Sequence, residues 1–206
     1  MISITSAIAY VTGKADGPLA VDYMASGACQ FAVLQTAGLK PESTLLEIGC
    51  GCLLAGHYLI EYLNENNYTA IEPATWVAAA GRAHFNITKP FTLLHNTEFS
   101  APGTFDFIHS HSVLSHACKA QLAQYFLVIK KQLNRNGTAL ASLRLGTDSN
   151  FGAWEYRSPS FFSKATVESY ALLAGLALTH RPDIQHSMMA ATGGEHHHDW
   201  IQLKHT

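Results

Sequence analysis

The run Leu45-Leu46-Glu47-Ile48-Gly49-Cys50-Gly51-Cys52-Leu53-Leu54-Ala55-Gly56 constrains this chain more than any other stretch. An apolar strand runs into two glycines one residue apart and then straight into apolar residues at helical spacing. Glycine adopts backbone angles that other residues resist, and its missing side chain lets a ligand approach the main chain. A helix starting directly behind the turn would aim unpaired N–H groups at the same spot. The third glycine of the dinucleotide-binding pattern is absent, and Cys52-Leu53 stand there instead. About 21 residues after Gly51 the next strand ends in Glu72, where a carboxylate can accept ribose hydroxyls.

The rest of the chain repeats the strand–helix alternation. The pattern predicts a helix over 18–37, a turn over 38–43, a strand over 44–48, a helix over 53–63 and a strand over 68–72, with Pro73 opening the helix that follows. Short apolar runs at 91–95 and 105–110 read as strands, 119–133 as an amphipathic helix, 134–137 as a turn, 138–145 as a strand and 163–174 as a helix. Leu176-Ala177-Leu178-Thr179-His180-Arg181-Pro182 and Asp199-Trp200-Ile201-Gln202-Leu203-Lys204 supply two final strands. Such alternation demands right-handed crossovers. The expected fold is therefore α/β: a doubly wound, mostly parallel seven-stranded sheet with an antiparallel edge strand and helices on both faces. The segment between the last two strands reads as a loop without room for a helix, so those strands are expected to pair as an antiparallel hairpin. With 206 residues, 48% of them hydrophobic, the chain suits a single domain over 1–206, a helical cap over 1–40 on a Rossmann-like core over 41–206.

Several function classes fall away on composition. A formal charge of -2 offers no basic excess for phosphate neutralisation, so no nucleic-acid partner is expected. No run approaches the ~18 apolar residues of a membrane span, and no basic segment precedes a long apolar one. The expected location is the cytoplasm. The four cysteines, Cys29, Cys50, Cys52 and Cys118, form no CxxC pair, and no metal is expected. His196-His197-His198 follows Gly193-Gly194-Glu195 and reads as a solvated turn before the last strand.

The Glu-Ile-Gly-Cys-Gly run and Ile71-Glu72-Pro73 resemble the first two motifs of the class I, Rossmann-like S-adenosylmethionine-dependent methyltransferases. The resemblance spans roughly residues 20 to 180 and says almost nothing about the methyl acceptor. It implies S-adenosylmethionine as cofactor. Glu47 would steer the glycine loop and the amino group of the methionine part. Gly49, Cys50 and Gly51 would lie against the cofactor, and Glu72, followed by Pro73, would hold the ribose. Asn96, Glu98 and the Phe99 backbone N–H fall where the family contacts adenine, and Ser110 ends the fourth strand beside the cofactor.

Phe105-Asp106-Phe107-Ile108-His109-Ser110-His111 and the Ser-Val-Leu-x-His run that ends at His116 resemble the family's fourth motif, whose strand end faces the transferable methyl. Methyl transfer mainly requires alignment of nucleophile, methyl and sulfur. An acceptor hydroxyl or ammonium must also lose a proton, and neutral imidazole can take it. His111, just past the strand end, is the better pocket candidate. His116 suits a structural hydrogen bond as well as catalysis, and His109 suits packing or contact with a helix. After the fifth strand, the polar and then aromatic segment Gly146–Phe162 falls on the ligand-binding edge of the sheet. Trp154 and Tyr156 are substrate candidates, with Arg144 and Arg157 as partners for an acceptor carboxylate or phosphate. Phe161 and Phe162 instead suit stapling of a helix capped by Ser163. The first helix, with Tyr23, Gly27 and Gln30, is expected to close the cofactor pocket, and Tyr23 to reach substrate. Together these features predict a methyltransferase for a small-molecule acceptor, with O- or N-methylation by direct displacement. An NAD-type oxidoreductase and a non-catalytic adenosyl-binding scaffold are the alternatives.

Overall fold

The computed structural model describes residues 18–149, 152–154, 158–193 and 198–206, and for 18–23 the backbone alone. Helix α1 spans Pro18–Thr36, β1 Leu45–Ile48, α2 Gly56–Tyr62, β2 Tyr68–Ile71, α3 Thr75–His84 and β3 Thr92–Leu94. There follow β4 Phe105–Ser110, a 3-10 turn Leu114–His116, α4 Lys119–Gln132, β5 Leu133–Leu143, α5 Lys164–Leu173, β6 Leu176–His180, α6 Pro182–Ala191 and β7 Asp199–His205. The seven strands form one sheet in the order β3-β2-β1-β4-β5-β7-β6. The pairs among the first five strands are parallel, and β7 runs antiparallel to both neighbours.

Every residue of β1 and β2 is buried, as expected of parallel strands covered on both faces. Alternate residues feed two cores. Leu45, Tyr68, Ala70, Phe107, Leu140 and Trp200 pack under α1, α2, α3 and α6. Leu46, Ile48, Ile108, Ala139 and Ala141 pack under α4 and α5. Helix α1 ends where Gly38 takes φ +101. There Leu39 N–H reaches Leu34 O at 3.0 Å and Gly38 N–H reaches Gln35 O at 2.9 Å, a paired closure that needs a left-handed residue. Ser163 caps α5, as its sequence position suggests, accepting from Thr166 N–H at 3.2 Å.

Five local expectations are corrected. The segment between β6 and β7 is not a bare loop but holds the ten-residue helix α6. Pro182 sits in its first turn, Asp183 pairs with Arg181 at 2.6 Å, and Ile184 and Met188, one turn apart, are buried against the sheet. Strand β7 also inserts between β5 and β6, so β6 is the outer strand of that antiparallel edge pair. Pro73 does not open α3, whose N-cap is Ala74. The glycine turn does not run straight into α2: residues 51–55 form turns, Leu53 stands at φ +61, and the helix begins only at Gly56. With seven residues, α2 contributes little dipole to the turn. Finally, the 134–137 turn lies within β5. Register jumps from Phe105 opposite Leu133 to Phe107 opposite Thr138, and the intervening residues bulge. Asp106 anchors the bulge by accepting from Asn134 Nδ2 at 2.8 Å.

Candidate active site

The carboxyl ends of β2, β1, β4 and β5 lie side by side. Ile48 pairs with Ile71 and Ser110 with Ala141, so Gly49, Glu72 and His111 follow along one edge, with His111 level with Ser142 inside β5, whose partner on β7 is Trp200. Ligands of open α/β sheets bind outside this edge.

At the β1–β2 end, the main chain does most of the work. Ile71 O accepts from both Gly49 N–H (2.8 Å) and Cys50 N–H (3.1 Å), which folds the turn back on β2. Gly49 has φ +74, and a Cβ there would run into Val113 Cγ2. Gly51 has φ +52 with open space where its Cβ would stand. Glu72 is buried, its Oε2 accepting Gly51 N–H and its Oε1 accepting Ala74 N–H, both at 2.9 Å. An ionised carboxylate has about four acceptor positions, so capacity for two hydroxyls remains beside the open face of Gly51. These residues fit an adenosyl group. His95 Nδ1 lies 2.7 Å from Glu72 O and ties β3 to the same corner, a contact the sequence did not suggest.

Glu47 behaves differently. It is buried beneath the turn, where the Tyr68 hydroxyl donates to its Oε2. Gly56 makes room for that hydroxyl, since a Cβ at position 56 would lie 2.6 Å from it. Burial, against the lowering effect of the Tyr68 bond, pushes the Glu47 carboxyl up to about 8. Burial also raises the Cys50 thiol, and pushes that of Cys52 up to about 12. Neither is a poised nucleophile.

The loop after β3 is held by its own side chains. Asn96 Oδ1 accepts Glu98 N–H at 3.2 Å and its Nδ2 donates to Ser100 O at 2.9 Å, leaving Glu98 exposed. Phe99 stands at φ +60 with its ring in the α4-side core, edge-on to Tyr125. The Ser110 side chain faces that same core and bonds Tyr125 Oη at 2.8 Å, so only its backbone adjoins the opposite side.

The β4–β5–β7 end is built from side chains. His109, fully buried, lies 3.0 Å from Gln30 Oε1 of α1 through Nε2, and burial lowers it to about 4. Gln30 Nε2 in turn donates to Ser26 Oγ at 3.2 Å, and Gly27 permits contact with the Leu54 carbonyl. Helix α1 is thus clamped to both the glycine segment and β4. The Trp200 ring is nearly parallel to two histidines, at 5.9 Å from His109 and 5.2 Å from His111. His111 Nδ1 lies 2.9 Å from Ser142 Oγ, and its ring meets His198 edge-on at 5.0 Å. The expectation of a solvated histidine run therefore fails at its last member: His198 is buried in this cluster. His196 and His197 lie outside the described residues.

His116 and Trp154 come together at 5.9 Å beyond the strand ends. Arg144 lies over the Phe161 ring at 5.9 Å, and burial lowers its guanidinium. The segment returns beside β5 through Phe162 N–H to Arg144 O, with Phe162 itself buried in the core. Tyr156, Arg157 and the Tyr23 side chain lie outside the described residues. Sequence reasoning missed Ser142, Trp200 and His198, because only strand pairing across 31 and 58 positions brings them to β4. It also missed Asp148, which accepts from Lys119 and Thr166 and sits well below the usual carboxylate range.

A family model described as a methyltransferase domain matches residues 46–139. None of the curated proteins matches the chain. Among solved structures, the glycopeptide N-methyltransferase MtfA with S-adenosyl-L-homocysteine is 13% identical, covering 87% of this chain and 90% of its own at a TM-score of 0.65. Magnesium protoporphyrin IX methyltransferase (ChlM) from Synechocystis PCC 6803, also with bound S-adenosylhomocysteine, is 10% identical, covering 93% and 90% at a TM-score of 0.67. The DhpI–SAH complex is 14% identical, covering 98% and 96% at 0.64. At these identities the structures speak for the fold, while the family model matches the stretch that carries the glycine turn, Glu72 and β4. Residues 46–139 thus match a methyltransferase domain, and the fold of the chain is similar to that of methyltransferases solved with S-adenosyl ligands.

Proposed function

We propose that the protein methylates a small-molecule acceptor at oxygen or nitrogen by direct displacement, in the cytoplasm. One observation carries the reading: Gly49, Glu72 and His111 follow the ends of three neighbouring strands at one edge, with Ser142 of β5 and Trp200 of β7 beside His111. The span from Glu72 to His111 crosses two strand spacings, roughly 10 Å. S-adenosylmethionine supplies an activated methyl group when bound.

The chain's own residues then divide the work. Glu72 and the backbone of Gly49, Cys50 and Gly51 hold the adenosyl part, with Pro73 shaping the corner. Glu47 sits under the turn where the methionine amino group is placed. Asn96 positions Glu98 for the adenine, with the Phe99 and Ser110 backbones adjoining. His111 and His116 face the acceptor, Arg144 and Trp154 wall its pocket, and Tyr23 and Tyr156 are assigned to the acceptor from the sequence alone. Helix α1 covers the site as a cap on a single-domain core. No helix among the described residues is long and apolar enough to cross a membrane, and the modest net charge fits a small acceptor better than a polyanion.

Calorimetry with S-adenosylmethionine and S-adenosylhomocysteine, followed by mass spectrometry of metabolite pools for products one methyl heavier, tests this. Adenosyl binding and a methylated small molecule are expected. Binding of NADH but neither adenosyl ligand would overturn it. Adenosyl binding with no methylated product would favour the scaffold alternative.

A further inference from the structure

We propose that Arg144 holds a carboxylate of the methyl acceptor, so that the substrates are small carboxylic acids. The inference rests on the methyltransferase reading above and deepens it toward an acceptor class.

Strand β5 sets the face on which Arg144 stands. Ala139, Ala141 and Leu143 lie in the core under α4 and α5, whereas Leu140 lies in the opposite core with Trp200. Side chains of an extended chain alternate between faces. Ser142 and then Arg144 therefore follow Leu140 on the Trp200 side, and Trp200 is the cross-strand partner of Ser142. The chain stays extended past the strand end, where Arg144 O accepts Phe162 N–H at 3.0 Å and Leu145 bridges Phe162. Phe162 is buried in the α4-side core, so its neighbour Phe161 faces the other way. There the Arg144 guanidinium lies over the Phe161 ring at 5.9 Å, covered from one side.

This face carries donors in excess. Arg144 is half-buried, and its Nε is buried without a hydrogen-bond partner among the described residues. Burial lowers the guanidinium, and no acid among the described residues offsets that effect. The carboxylates of this end are committed elsewhere. Asp199 accepts Leu145 N–H at 2.8 Å, and Asp148 accepts from Lys119 at 2.9 Å and Thr166 Oγ1 at 2.7 Å. Trp200 is 2% exposed, and its Nε1 also has no partner among the described residues. Both groups donate and neither accepts. Buried donors without acceptors are destabilising, more so beside a charge, so this face favours an anionic ligand.

The kind of anion follows from the charges. The Nε–H of a guanidinium and a neighbouring terminal N–H are parallel donors at the spacing of two carboxylate oxygens. A phosphate dianion would need a second cation. Lys119 is paired with Asp148, and Arg181, whose N–H donates to Trp200 O, is paired with Asp183 at 2.6 Å. One guanidinium matches one carboxylate. Strand β5 is also three strand spacings, roughly 14 Å, from β2 and Glu72. The anion therefore lies past the β4 end, on the acceptor's side of the methyl group, and serves as the handle that orients the acceptor.

The test begins with simple probes. In the S-adenosylhomocysteine complex of 15N-arginine-labelled protein, the Nε–H signals are followed as benzoate, benzamide or phenyl phosphate is added, with Arg144→Lys assigning the Arg144 signal. Benzoate is expected to shift that signal and slow its exchange with water, and benzamide to leave it in place. A response to phenyl phosphate alone overturns the carboxylate class. No response to either anion, or an equal response at the exposed Arg135, overturns the site. With an acceptor from the metabolite screen, Arg144→Gln should raise KM by about tenfold to a hundredfold and keep kcat within about threefold, with part of the loss recovered in Arg144→Lys. A methylated product without a carboxylate, or an unchanged KM, overturns the proposal. If Arg144→Gln instead weakens S-adenosylhomocysteine by about tenfold or more, the guanidinium holds the cofactor's carboxylate and the acceptor assignment falls. A protein that binds benzoate through Arg144 but no adenosyl ligand would remove the methyltransferase reading and leave the anion site standing.

Discussion

Glu72 and His111 emerge two strands apart on the same sheet edge, yet they are held by different means. The Glu72 carboxylate is fixed by main-chain groups of the turn and helix start, Gly51 N–H and Ala74 N–H, while the His95 ring contacts its backbone carbonyl. Its environment depends on the presence of glycines more than on which side chains surround it. His111 is fixed by side chains from distant strands, Ser142 of β5 and Trp200 of β7, with His198 against its edge. The β1–β2 end is chiefly a backbone device, and the β4–β5–β7 end is a side-chain device.

The contrast can be broken first at Trp200. It is 2% exposed and lies between two histidines. Trp200→Ala should cost ~3–5 kcal/mol of stability by the usual cost of removing a buried aromatic, read by denaturant unfolding, while Trp200→Phe keeps most of it. If the alanine variant lost under 1 kcal/mol, the β4–β5–β7 end would not be organised around this ring.

Glu72→Ala comes next. It should weaken S-adenosylmethionine binding by ~1.5–3 kcal/mol, the range for hydrogen bonds to a charged group, with the fold retained. His111→Ala should leave that affinity nearly untouched. Calorimetry showing equal losses in both variants would mean the two ends are not separable.

The smallest effect is a pH dependence of folding. Glu47, ordinarily near 4.5, sits at about 8, so between those values the folded protein holds a proton that the unfolded chain has released. Stability then falls as pH rises. His109, ordinarily near 6.5, sits at about 4, so there the unfolded chain holds the extra proton and stability rises with pH. The two slopes oppose each other between about 4.5 and 6.5. From about 6.5 to 8 the Glu47 contribution stands alone, with a fall of up to ~1.4 kcal/mol per pH unit. Glu47→Gln should abolish that fall in urea melts of the cofactor-free protein. A parent protein equally stable at pH 6.5 and 8 would show that Glu47 is ionised in the fold.

The glycine turn and its acid were legible because their signal is local. Gly49 and Gly51 take positive φ, and Glu72 directly follows β2. The reading went wrong where local pattern and packing disagree. The β6–β7 connection looked like a loop, yet Ile184 and Met188 find an apolar floor on the sheet that draws the segment into a helix. The histidine run looked solvated, yet His198 is pulled inward beside Trp200 and His111. Asn96 and Phe99 fell in the expected loop, but their side chains serve the loop and the core.

By itself the sequence determined the alternation of strands and helices, the sharp turn after β1 and the acid after β2. These follow from hydrophobic period and glycine backbone freedom, which act over a few residues. The tertiary structure alone decided that β7 inserts between β5 and β6, setting Trp200 beside Ser142 and both beside His111. Strand order is settled by how whole faces bury their apolar surface, and which hydroxyl meets which imidazole follows from that burial rather than from any spacing along the chain.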